Sequence, residues 1–159
     1  FTRDRNTTVS LAERIAIVRR TKPNAFVSLH VNATGNPAVR GVESFVMTAP
    51  GYVSTVGTRT DGKSYAGNRQ GVLNMRLAHA IQRSLLTYTG ATDRGVKRAR
   101  FAVLKHAAAP AVLVEIGFLT NPLDEAMLIS RAYRDKVAEG VARGILSYLT
   151  ANRKPSAAE

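Results

Sequence analysis

Hydrophobic and polar positions along this 159-residue chain switch between two periods, and each switch marks an element. Leu11, Ile15 and Val18 recur at helical spacing over about 11–20, behind a capping box of Ser10 and Glu13 and ahead of a closing Pro23. Arg14, Arg19 and Arg20 fall towards the solvated side. Residues 26–31 are apolar except for Ser28 and His30, which share one strand face with Phe26 while Val27, Leu29 and Val31 share the other. Gly35, Asn36 and Pro37 mark a loop, and 41–47 reads as a second strand. A stripe of Leu73, Leu77, Ile81, Leu85 and Tyr88 predicts a helix over about 71–88, ended by Gly90, with His79 on its outer face. Residues 93–97 read as a polar connection and 100–104 as leading into a short strand, with His106 in the loop beyond. Residues 111–116, between Pro110 and Gly117, are almost continuously apolar and β-branched, the pattern of a strand buried on both faces. Asn121, Pro122 and Asp124 signal a helix start, and Tyr133, Val137, Val141, Ile145 and Leu149 stripe a last helix over about 131–149.

Strands alternating with helices predict an α/β domain over 1–150: a mostly parallel central sheet with helices on both faces, in one layered unit. Residues 151–159 read as a polar tail. Phe1, Thr2 and Arg3 read as the end of a strand, and the chain as a processed or excised piece. The segment 49–69 carries Gly51, Gly57, Gly62 and Gly67 without helical period. It reads as a long loop, either functional or a plain surface insertion.

Composition narrows the function classes. Hydrophobic residues make up 45% and charged residues 21%, an ordinary globular balance. No apolar run approaches the roughly 20 residues that span a bilayer. A formal net charge of +12 favours an anionic partner: nucleic acid, anionic lipid or acidic cell-wall polymer. Cysteine is absent, which removes disulfides, thiolate ligands and thiol nucleophiles.

The candidate chemistry centres on Glu115. A carboxylate inside a buried strand costs several kcal/mol unless something pairs with it or protonates it. Glu115 and His30 both sit near the carboxyl ends of their strands, where open parallel sheets gather ligands. A neutral imidazole binds zinc, and a carboxylate beside a metal-bound water acts as general base. A lone histidine at a strand end is also an ordinary hydrogen-bonded structural residue, and a zinc site takes three protein ligands.

Several motifs resemble one family. They are Thr2-Arg3 followed by Leu11-Ala12-Glu13-Arg14, then Phe26-Val27-Ser28-Leu29-His30-Val31-Asn32-Ala33, Gly41-Val42-Glu43, Arg94-Gly95-Val96-Lys97, and the run from Val112 to Asn121. In this order they resemble the zinc-dependent N-acetylmuramoyl-L-alanine amidases of bacterial cell walls. The resemblance implies hydrolysis of the amide between N-acetylmuramic acid and L-alanine in peptidoglycan, in the periplasm or outside the cell. It makes His30 a zinc ligand and Glu115 the catalytic glutamate. Asn32 matches a motif position, with a structural role expected; for Asn121 an N-cap role suffices.

The family's other two zinc ligands precede Phe1, and His79 and His106 do not match them. The chain is therefore expected to be a catalytic domain lacking its amino-terminal strand, loop and helix, with weak zinc binding and little activity unless that segment is supplied. Some family members carry an inhibitory helix where 49–69 lies and are opened by an activator protein; no amphipathic helix is legible here, so an open cleft is expected. Two competing readings remain. One is a non-catalytic binder of anionic cell-wall polymer or nucleic acid, favoured by +12 and by Lys97, Arg98 and Arg100. Against nucleic acid, no binding motif occurs, and aromatic residues are 6% and not interleaved with the basic run. The other is a zinc peptidase on a similar sheet.

Overall fold

The computed structural model describes residues 1–3 and 5–153; most of the predicted tail, 154–159, lies outside the described residues. Helix α1 (Leu11–Thr21) forms as its ends dictate. The Ser10 hydroxyl accepts from the Glu13 amide at 3.2 Å, the Ser10 amide donates back to the Glu13 carboxylate at 2.7 Å, and Lys22 closes the helix in the left-handed region. Arg14 is not solvated as expected. It is half-buried, donating from Nε to the Val9 carbonyl and from Nη1 to the Thr2 hydroxyl. Phe1–Arg3 adopt no strand.

Four strands follow in the order β1-β4-β2-β3: β1 (Phe26–Asn32), β2 (Val42–Met47), β3 (Asp93–Ala99) and β4 (Ala111–Phe118). The β1–β4 and β2–β3 pairs are parallel, and β2 runs antiparallel to β4. The sheet is mostly parallel, as predicted. The antiparallel seam places the carboxyl ends of β1 and β4 beside the amino ends of β2 and β3.

Helices cover both faces. Val46, Val112 and Val114 point into a core closed by α2 (Gly71–Thr89), α4 (Pro122–Ile129) and α5 (Arg131–Ala151). Phe45, Met47 and Leu113 point the other way, onto Val103 and Leu104 of the short α3 (Ala102–Lys105), against which α1 lies. The α2–α5 contact is unusually close because Gly140 and Gly144 face it. A Cβ on Gly144 would stand 2.5 Å from the Ile81 Cα, nearer than packed atoms approach.

Further sequence readings need correction. Residues 93–97 are not a connection but most of β3, a strand whose polar side chains find partners across the sheet. Residues 100–104 enter no strand; they lead into α3. Strand β4 runs on through Gly117 to Phe118, and α5 continues to Ala151. In α2 the predicted stripe holds at Leu77, Ile81 and Leu85, but Tyr88 is exposed while Asn74 and Gln82 are buried. Asn74 donates to the Gly67 carbonyl and accepts from the Ala111 amide. Gln82 donates to the Val42 carbonyl and Asp93 and accepts from the Ser44 hydroxyl. Buried polar groups survive only when bonded in this way.

The segment 49–69 holds one isolated bridge, Val53 with Thr60, and runs into a 3-10 turn at Ala66–Gln70. Arg100 staples it by donating to the carbonyls of Ala49, Tyr52 and Asp61 and to the Ser54 hydroxyl. The segment leaves the carboxyl end of β2, so it lies at the end of the sheet opposite Glu115, and no α-helix forms in it.

Candidate active site

Strand register assembles the site. His30 on β1 pairs with Glu115 on β4, and Glu115 pairs across the seam with Glu43 on β2. Residues in register on adjacent strands point to one face, so these three side chains form a row across the sheet. They share the face of Phe45 and Leu113, at the sheet end where α3 does not reach.

Strand β3 completes the row through a bulge. Val42 pairs with Asp93 and Ser44 with Val96, so β3 holds one residue more than β2 over this stretch. Gly95 takes it up with φ +77, a conformation open to glycine. Arg94 and Lys97 would face opposite ways in a regular strand. The extra residue brings both to Glu43, Arg94 Nε at 2.8 Å and Lys97 Nζ at 2.5 Å from the same carboxylate oxygen. Asn32 Nδ2 donates to the other oxygen at 3.1 Å, while its own Oδ1 accepts from the Ala33 amide. Glu43, 3% exposed, is therefore a fully partnered buried carboxylate.

Glu115 is the opposite case. It is 8% exposed, makes no hydrogen bond among the described residues, and has Oε2 enclosed without a partner. Burial first, and the Glu43 charge second, push its carboxyl up to about 7. His30 is exposed, with Nε2 3.0 Å from the Ser28 hydroxyl. Partial loss of water on the side of the ring turned to the protein, and then the Arg14 charge, lower its pKa, which favours the neutral, ligand-competent imidazole. His30 opens onto a groove of about 970 Å³ along the free edge of β1, shared with Leu11, Arg14, Ile17 and Leu29.

The remaining predicted residues are structural. Asn121 caps α4, its Oδ1 accepting from the Leu123 and Asp124 amides, and Nδ2 ties down the Pro37 carbonyl. Asp124 is buried and accepts from the Gly41 and Phe118 amides, locking α4 to the strand ends. His79 and His106 are exposed and remote from this row. Of the basic run, Lys97 pairs with Glu43 and Arg100 holds the 49–69 loop, which leaves less free charge for a polymer than the sequence suggests. Glu43, Arg94 and Lys97 join the site only in the fold; their trace in the sequence is a second glutamate at a strand start and two cations spaced across a glycine.

A zinc ion would use His30 and the Glu115 side of the row. Among the described residues, however, no group of three His, Cys, Asp or Glu side chains could hold a metal. The described residues thus supply one imidazole and a partnerless carboxyl, short of the three-ligand set of a catalytic zinc.

An α/β domain with an imidazole and an unpartnered carboxyl at the carboxyl edge of parallel strands has the layout of an enzyme's catalytic domain. Sequence comparison makes this specific. Residues 1–147 match the model of the N-acetylmuramoyl-L-alanine amidase family, and the chain belongs to that family. It is 33% identical over 148 residues to the N-acetylmuramoyl-L-alanine amidase LytC of Bacillus subtilis, covering 93% of this chain and 26% of LytC. It also spans less than two thirds of the other curated relatives it matches. The structure of the amidase AmiC2 of Nostoc punctiforme superposes with a TM-score of 0.76 at 32% identity, covering 94% of this chain and 71% of that one. The CwlD amidase of Clostridioides difficile, solved in complex with the GerS lipoprotein, superposes at 0.70 with 26% identity, covering 89% and 62%.

Proposed function

We propose that this domain hydrolyses the amide between N-acetylmuramic acid and L-alanine in peptidoglycan, at the cell wall or in the periplasm, with zinc as cofactor. The observation that carries the reading is the Glu115 carboxyl, buried and unbonded beside His30 in a chain of this family. When bound, zinc supplies a Lewis acid for the amide carbonyl and lowers the pKa of water. His30 would be one of its ligands, and it stands on β1 at the open edge of the sheet, where Leu29 and Val31 are 50% and 38% exposed.

Glu115 takes a proton from the attacking water as the new C–O bond forms. It returns that proton to the departing nitrogen as the C–N bond breaks, leaving a lactyl carboxylate and the free amine of L-alanine. Asn32, Arg94 and Lys97 hold Glu43, and Glu43 flanks Glu115. A protein partner that controls access is part of the proposal, by analogy with the CwlD–GerS complex.

Digestion of purified peptidoglycan by the full-length protein tests this. Released intact stem peptides with a free L-alanine amine are expected. Cleavage inside the peptide would instead mean a peptidase, and retention without cleavage a binder.

A further inference from the structure

Arg94 and Lys97 do more than neutralise Glu43. Two cations meet one carboxylate, so the cluster keeps a net positive charge. Neither cation is fully used: their side chains remain 30% and 22% exposed, against 4% for Glu43. Among the described residues, Arg94 donates only through Nε, and its two terminal amino groups have no hydrogen-bond partner. Its guanidinium carbon lies 5.0 Å from the centre of the buried Phe118 ring, within cation–π range. A purely structural counter-charge would not need a second, half-exposed cation or a glycine bulge to bring it there.

Position makes the surplus charge useful. Both cationic groups touch Glu43, and Glu43 pairs in register with Glu115 on the neighbouring strand, so the pair flanks Glu115 from the β2 side, beyond the Glu43 carboxylate. An extended peptide advances about 3.5 Å per residue, so a chain whose first amide lies at Glu115 carries its next side group or carboxylate to this pair.

We propose that Arg94 and Lys97 bind a carboxylate on the stem-peptide residue that follows L-alanine, and so set the scissile amide over Glu115. This rests on the amidase reading above. One surplus positive charge suits a monoanion, and a planar fork beside an ammonium suits a carboxylate. Glu43 and Asn32 are positioning residues that hold the two cations in place.

The test uses full-length protein carrying Glu115→Gln, so that ligand survives, titrated with two synthetic muramoyl peptides. They differ only in whether the residue after L-alanine bears a free carboxylate or the corresponding carboxamide. The carboxylate peptide should bind about tenfold tighter, the scale of a charge-assisted pair. Adding Arg94→Gln or Lys97→Gln should erase most of that preference, and Arg94→Lys should keep part of it. In the enzyme with Glu115 intact, the same two peptides should differ in KM far more than in kcat. Equal affinity for the two peptides overturns the proposal, and that comparison requires no change to the cluster, so a misfolded variant cannot mask it. A lasting carboxylate preference in a protein that cleaves neither peptide would sink the amidase reading while keeping this site. Cleavage of both peptides with equal KM would do the reverse.

Discussion

The two ends of the sheet use charge in opposite ways. Beyond the carboxyl ends of β2 and β3, Arg100 makes four hydrogen bonds to the 49–69 loop. There Thr48 and Ser54 also share a buried bond, and the Tyr65 hydroxyl closes on Asp61. At the other end Glu115 makes none among the described residues, and Arg94 and Lys97 stay part-exposed around Glu43. Charged residues alone do not tell the two ends apart. What separates them is the fate of one carboxyl at each end: Asp61 accepts from the Tyr65 hydroxyl and the Lys63 amide and belongs to the frame, whereas Glu115 accepts from no described group and is free to act on something else.

Replacing the unbonded group should break the contrast most strongly. Glu115→Gln should cut peptidoglycan turnover by about 10²–10⁴-fold, the scale of a lost general base, with near-native circular dichroism. In protein treated with chelator it should also stabilise the fold at alkaline pH. The folded carboxyl titrates at about 7, above its ordinary value of 4.5. The unfolded chain therefore gives up this proton first, and wild-type stability falls as pH rises between those values and then levels. Thermal melts should show the variant matching wild type near pH 4 and exceeding it by a few degrees at pH 8. Matching melts at both pH values would mean that Glu115 carries no burial strain.

Breaking the bonded end should do the converse. Arg100→Ala strips the donors from three loop carbonyls and is expected to cost roughly 2–4 kcal/mol in urea unfolding. Activity per folded molecule should stay nearly unchanged. A selective loss of turnover would show that the two ends are coupled. Between them, Gly144→Ala drives a Cβ into the Ile81 backbone and should cost about 1–3 kcal/mol as α5 is pushed off α2. The smallest effect belongs to the start of α1: Ser10→Ala removes its cap for about 1 kcal/mol, read from the same unfolding curves.

How much was legible depended on whether a residue's role was written in its neighbours along the chain. The α1 capping box, the Asn121 cap, the Gly90 stop and the buried run of β4 follow from local periods and caps, and the structure has them all. Strand β3 was missed because it reads as Asp-Arg-Gly-Val-Lys-Arg-Ala. Its fitness for a sheet comes from Gln82 and Glu43, which lie 11 and 51 residues before their partners Asp93 and Arg94. Asn74 and Gln82 interrupt an apolar stripe and look like surface residues until the groups they bond arrive from elsewhere. Within the site, His30 and Glu115 were legible as exceptions in apolar strands. Glu43 was not, since a glutamate at a strand start is unremarkable until β4 pairs beside it.

Local sequence therefore specified α1, α2, α4 and α5, the central strand, the family motifs and the identity of the anomalous carboxyl, because short-range periodicity and side-chain chemistry carry that information. Only the tertiary structure decided what Glu115 faces. The antiparallel seam sets Glu43 beside it, and the Gly95 bulge turns two cations onto Glu43. No hydrogen bond reaches Glu115 from the described residues. Register between distant strands is a property of the assembled sheet, and the electrostatics of a buried carboxyl follow from that register.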